Sequence, residues 1–89
     1  LKPDNPEAFN YLGLEFHHQK RYADAVAAYR QALAQSPDYA IAYVNLAATY
    51  EALGQPERAI EAYRQALARD ANLHAVQEKI DALRKQGSK

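Results

Sequence analysis

Three histidines, scattered carboxylates and two serines are the side chains here that could attack a bond or hold a metal. His17 and His18 would serve zinc ligation or proton transfer. Neighbouring residues on a helix point about 100° apart, so this pair cannot close on one ion as residues at i and i+4 do. His74 stands alone beside a turn. Glu7, Glu15, Glu51 and Glu61 would have to meet in a dry, concave site to divide acid and base roles. They are spread along amphipathic stretches, where charges face water. Ser36 and Ser88 fall in a turn and a tail with no local base to activate them. Gly13, Gly54 and Gly87 are isolated, which leaves no glycine-rich loop for phosphate. The reading is therefore non-enzymatic: no catalytic set, no cofactor site, no metal site.

Bulk properties narrow the partners. The chain has 89 residues, a formal net charge of zero and no cysteine. A neutral surface gives no electrostatic footprint for nucleic acid or anionic lipid. The longest uncharged stretch, Tyr39–Tyr50, is shorter than a membrane span and contains Asn45 and Thr49. Absence of cysteine removes disulfides and thiolate chemistry but leaves the compartment open.

With no chemistry of its own, the chain must work through the elements that carry its surfaces. AYRQALA occurs at Ala28–Ala34 and again, letter for letter, at Ala62–Ala68, an offset of 34 residues. At the same offset Phe9 is answered by Tyr43, Leu12 by Leu46, Phe16 by Tyr50, Ala25 by Ala59 and Tyr29 by Tyr63. A fixed period in this range means one supersecondary unit stacked on copies of itself.

Periodicity and punctuation place five helices. Asn5 is a good N-cap and Pro6 suits the first helical position; Phe9, Leu12, Gly13 and Phe16 then follow the i, i+3, i+4, i+7 rule. Gln19-Lys20-Arg21 ends that helix. A second runs from about Tyr22 to Gln35, with Tyr22, Ala25, Val26, Tyr29, Ala32 and Leu33 inward. Ser36-Pro37 stops it, and Asp38 is expected to cap a third helix over about Tyr39–Leu53. Gly54 supplies a left-handed turn, Pro56 opens a fourth helix ending near Arg69, and Asn72 is expected to cap a fifth over about Leu73–Gln86. The fifth has a single apolar stripe, Leu73, Val76, Ile80 and Leu83, as a terminal cap on a repeat array needs.

These positions resemble the tetratricopeptide repeat family, whose unit is two antiparallel helices in 34 residues. Its large–large–small–large first helix is matched by Phe9, Leu12, Gly13 and Phe16, then by Tyr43, Leu46, Ala47 and Tyr50. Its small–aromatic–small second helix is matched by Ala25, Tyr29 and Ala32, then by Ala59, Tyr63 and Ala66, with Pro37 as the closing proline. The resemblance implies an all-α fold, helix-turn-helix repeats in a right-handed solenoid of five helices. Its expected layout is the tail of a preceding repeat at 1–5, repeats at 6–39 and 40–73, a capping helix at 74–86 and a disordered tail at 87–89. On this reading the chain is the C-terminal part of a longer array. Lys20 and Ala47 stand where the family usually has glycine, and Ala71 where it has proline. Lys20 costs about 1 kcal/mol if its φ is positive.

The resemblance also implies a protein or peptide partner of unknown identity, held in a concave groove lined by first helices. In the first helix the groove positions are Glu7, Asn10, Leu14 and His17; in the third, Ile41, Val44, Ala48 and Glu51 with Asn45 beside them. Lys79 extends the row on the fifth. Leu14, Ile41 and Val44 are apolar on a face expected to be wet, and Asn45 is expected to hydrogen-bond a bound backbone. One subtype of the family clamps a chaperone's C-terminal carboxylate with lysine, asparagine and arginine. Asn45 and Lys79 occupy two clamp positions here, but Asn10, Leu14 and Ala75 break the set, so that ligand is not expected. The competing expectation is a scaffolding segment, monomeric or weakly dimeric through its open N-terminal end.

Overall fold

The computed structural model describes residues 5–87. Among them are five helices and no strand: α1 (Pro6–His18), α2 (Tyr22–Gln35), α3 (Ala40–Ala52), α4 (Pro56–Arg69) and α5 (His74–Gly87). They form antiparallel pairs stacked as a right-handed solenoid: α1 packs on α2, α2 on α3, α3 on α4 and α4 on α5. None of these helices is long and apolar enough to cross a membrane. The expected remnant at 1–5 and the tail fall largely outside the described residues, save Asn5 and Gly87.

The 34-residue period is repeated in the backbone of the turns. Arg21 N–H donates to Phe16 O at 2.8 Å and Lys20 N–H to His17 O at 2.9 Å. One period later Gln55 N–H donates to Tyr50 O at 2.9 Å and Gly54 N–H to Glu51 O at 3.0 Å. This pair of bonds is the Schellman closure, which satisfies carbonyls that a helix end would otherwise leave open. It requires a left-handed residue, found at Lys20 (φ 63°) and Gly54 (φ 73°). The side-chain contact that usually accompanies the motif is made here by the Arg21 guanidinium, 4.6 Å above the Phe16 ring.

Turns between repeats are also copied. Ser36 N–H to Ala32 O and Tyr39 N–H to Ser36 O are matched by Asp70 N–H to Ala66 O and Leu73 N–H to Asp70 O. Two expected caps are corrected there. The N-cap of α3 is Tyr39, with no side-chain bond; Asp38 instead accepts from the Ser36 hydroxyl at 3.1 Å. Leu73, not Asn72, immediately precedes α5, and Asp70 Oδ1 accepts from Asn72 N–H at 3.0 Å. In both turns a short polar side chain bonds locally before the helix begins. Asn5 does cap α1, accepting from Ala8 N–H at 3.1 Å.

Small residues let the helix backbones approach. Ala25, Ala32, Ala42, Ala47, Ala59 and Ala66 are all completely buried. Tyr29 and Tyr63 fill the wedges between them, at 0% and 2% exposure. Fully burying such large side chains contributes on the order of 2 kcal/mol each. Because α3 has α1, α2 and α4 around it, it is apolar on most of its circumference. The single stripe of α5 is buried as expected at Val76, Ile80 and Leu83, while its other faces are exposed.

Candidate functional site

First helices α1 and α3 lie side by side and touch directly. The seam between them is polar. Asn45 Nδ2 donates to Asn10 Oδ1 at 2.9 Å, and Asn10 Nδ2 reaches the Tyr39 hydroxyl at 3.5 Å. Further along, His17 Nδ1 and Thr49 Oγ1 are 2.8 Å apart. Thr49 gives its own hydrogen to Asn45 O at 3.0 Å. With that hydrogen committed, Thr49 accepts and His17 Nδ1 donates, which assigns the Nδ1–H form of the ring. His17 also packs edge-on against Tyr22, ring centres 5.2 Å apart.

A second polar junction closes the far end. Glu51 accepts from the Tyr63 hydroxyl of α4, and its other oxygen lies 3.8 Å from Lys79 Nζ of α5. Burial raises the Tyr63 phenol, and the Glu51 hydrogen bond and charge raise it further. Burial likewise raises the Tyr39 phenol, with Glu7 and Tyr11 adding to it and the Asn10 hydrogen bond opposing.

The expected groove residues therefore separate into two groups. Asn10 was expected on a wet face; it is 4% exposed, drawn under by its bond to Asn45. Leu14 and Val44 are half-buried and lean on the core, so they are not free apolar surface. His17 and Glu51, also half-buried, are held by Thr49 and by Tyr63 with Lys79. Glu7 and Lys79 are exposed. What projects is Ile41, 48% exposed, with half-buried Ala48 two turns along the same side of α3. Among the described residues the side-chain oxygen of Asn45, Oδ1, accepts no hydrogen bond, while its backbone oxygen takes the Thr49 hydroxyl.

Thr49, completely buried, was missed by sequence reasoning. A signal existed in its spacing four residues after Asn45, which suits a hydroxyl bonding back to the helix. His17 and His18 lie edge to face with ring centres 6.2 Å apart. No three His, Asp or Glu side chains among the described residues converge to hold a metal.

The sequence profile described as Tetratricopeptide repeat matches residues 16–83. No curated protein matches the chain. Solved structures do. A crystal structure of MamA superposes with a TM-score of 0.95 at 25% identity, over 99% of this chain and 52% of that one. The first TPR of Spaghetti (RPAP3), bound to the HSP90 peptide SRMEEVD, gives 0.92 at 22% identity, over 99% and 70%. The Sgt2 TPR domain from Aspergillus fumigatus gives 0.85 at 28% identity, over 93% and 55%. The chain thus spans about half the length of the MamA structures it matches.

Proposed function

The chain belongs to the tetratricopeptide repeat family, and from that premise we propose a non-enzymatic protein–protein interaction module that binds an extended peptide or a partner helix along the α1–α3–α5 face. Ile41 carries this reading. It is a large apolar side chain, 48% exposed, beside a seam whose polar groups already satisfy one another. A ligand that covered Ile41 and Ala48 would gain apolar contact without stripping water from unpaired charges. The Asn45 side-chain oxygen Oδ1, which takes no bond within the seam, would accept from a bound backbone N–H. Asn10 stays buried, so a chaperone carboxylate clamp has no support from that position.

The test is peptide-display selection against the chain, with the selected peptides measured on Ile41→Asp. Binding should fall about tenfold or more while helicity and Tm hold, as for a central contact residue. Selected peptides that bind Ile41→Asp as tightly as the parent would place the working surface elsewhere.

A scaffolding reading is favoured by one observation. Tyr11 is 69% exposed and stands one period before Asn45, which packs on the preceding first helix. Another copy or another repeat seated there would cover it. Sedimentation from micromolar to near-millimolar protein should then show a reversible dimer of the parent that Tyr11→Glu abolishes. A monomer throughout ends the self-pairing version.

A further inference from the structure

The second helices are spaced apart: α2 packs on α1 and α3, and α4 on α3 and α5, which leaves a cleft of about 530 Å³ between α2 and α4. Its floor and inner walls are apolar, made by Leu33, Tyr43, Leu46, Ala62 and the ring of Tyr50. Tyr43, Leu46 and Tyr50 lie on the side of α3 opposite Ile41, Asn45 and Ala48, by helix geometry. This cleft is thus separate from the face proposed above, and neither reading depends on the other.

We propose that the cleft is a second recognition site, for a peptide segment that presents a bulky apolar side chain next to a carboxylate. Charge complementarity identifies the occupant. Arg30 on one wall donates from Nη2 to the Tyr50 hydroxyl at 2.8 Å, which ties the guanidinium to the cleft lining and leaves its other N–H groups without a partner among the described residues. Tyr50 accepts in that bond and keeps its own hydrogen to give. Arg58 on the other wall is exposed and has no hydrogen bond or ion pair among the described residues. The one acid at the rim, Glu61, accepts from Gln65 Nε2 at 3.0 Å, and Gln65 Oε1 accepts from Arg69 Nη1 at 2.6 Å. Two arginines against one carboxylate leave the cleft with an excess of positive charge above a greasy floor.

A single aromatic or leucine-sized side chain with its flanking backbone suits this volume, within the range of about 300–1,000 Å³ typical of ligand pockets. The neighbouring carboxylate would take a charge-assisted hydrogen bond from Arg58 and a second from Arg30 or Tyr50, a stronger set than neutral groups provide. Arg30 is held in advance by Tyr50, so less side-chain freedom is lost on binding.

Methyl- and amide-detected NMR titration of the whole chain with acetyl-Ala-Asp-Trp-Glu-Ala-amide tests this. The expected result is saturable shifts at Leu33, Leu46 and Ala62. Affinity should drop about fivefold or more for Arg58→Gln and for the all-amide peptide with Asn and Gln in place of Asp and Glu. It should be unaffected by Ile41→Asp. Arg58→Gln is the decisive variant, because Arg58 holds nothing in the fold; Arg30→Gln is read only after its helicity matches the parent. Shifts centred on Ile41 and Ala48, equal binding by the amide peptide, or an unaltered affinity in Arg58→Gln would each overturn the proposal. Indole-3-acetate binding as tightly as the peptide would make this a small-anion site and overturn the peptide assignment.

Discussion

Asn45 donates its amide to Asn10 at 2.9 Å across the α1–α3 seam, joining the first helices of successive repeats. Asn10 is 4% exposed, so water cannot replace a lost partner. Asn45→Leu should cost about 1–3 kcal/mol, the penalty of leaving a buried polar group unsatisfied. The double replacement Asn10→Leu with Asn45→Leu should recover part of that loss. Urea unfolding of the single and double variants measures both. A single variant as stable as the parent would mean the bond holds nothing.

Gly13 faces Tyr29 so closely that a Cβ added there would come within 2.6 Å of Tyr29 Cδ1 and 2.8 Å of Cζ. Tyr29 is completely buried and cannot swing clear. Gly13→Ala should therefore destabilise by about 1–3 kcal/mol, the range for overpacking. In a Tyr29→Leu background the same substitution should cost clearly less. Equal costs in both backgrounds would show that the backbone, not the ring, resists the methyl group.

Lys20 is exposed and left-handed, with φ of 63°, where the matching residue of the second turn is Gly54 at 73°. Lys20→Gly relieves the Cβ strain but loosens the unfolded chain. The relief should win by about 0.5–1 kcal/mol, seen as a higher denaturant midpoint at unchanged m-value. A lower midpoint would show that unfolded-state entropy dominates.

Tyr63 is held above the ordinary phenol value by burial first, then by Glu51. At alkaline pH the unfolded chain releases this proton while the folded one keeps it, so unfolding is favoured progressively. The stability tied to this proton is complete below the ordinary phenol value of about 10 and is lost as pH rises from there toward the folded value. Tyr63→Phe should lower stability at neutral pH by about 1 kcal/mol through the lost hydrogen bond, yet flatten the decline above pH about 10. Denaturant melts across that range read both effects. An unchanged alkaline slope would assign the decline to Tyr29 and Tyr39, whose phenols burial also raises.

Much of the fold was legible because its signals are local. The identical AYRQALA segments, the prolines at 6, 37 and 56, and Gly54 mark helix starts, stops and turns through backbone preferences that act over a few residues. The short turns between helices likewise require antiparallel packing, while the small residues around Tyr29 and Tyr63 mark where backbones approach closely. Where these signals compete locally, as at Asp38 and Asn72, the caps were misplaced.

The character of the α1–α3 seam could not be read that way, because residues one period apart meet different neighbours. Tyr11 and Asn45 are equivalent by repeat, yet Tyr11 is 69% exposed while Asn45 reaches Asn10. Glu15 and Thr49 are equivalent too, one exposed, the other completely buried against His17. Glu51 takes the Tyr63 hydroxyl, whereas its equivalent His17 turns to Thr49 instead. Sequence by itself determined which residues each helix turns toward its own partner helix, since that follows from a 3.6-residue period. Only the tertiary structure decided which polar groups are spent on one another and which apolar side chains, like Ile41, remain exposed. That outcome depends on which helix lies alongside, and burial makes an unpaired polar group cost more than pairing it.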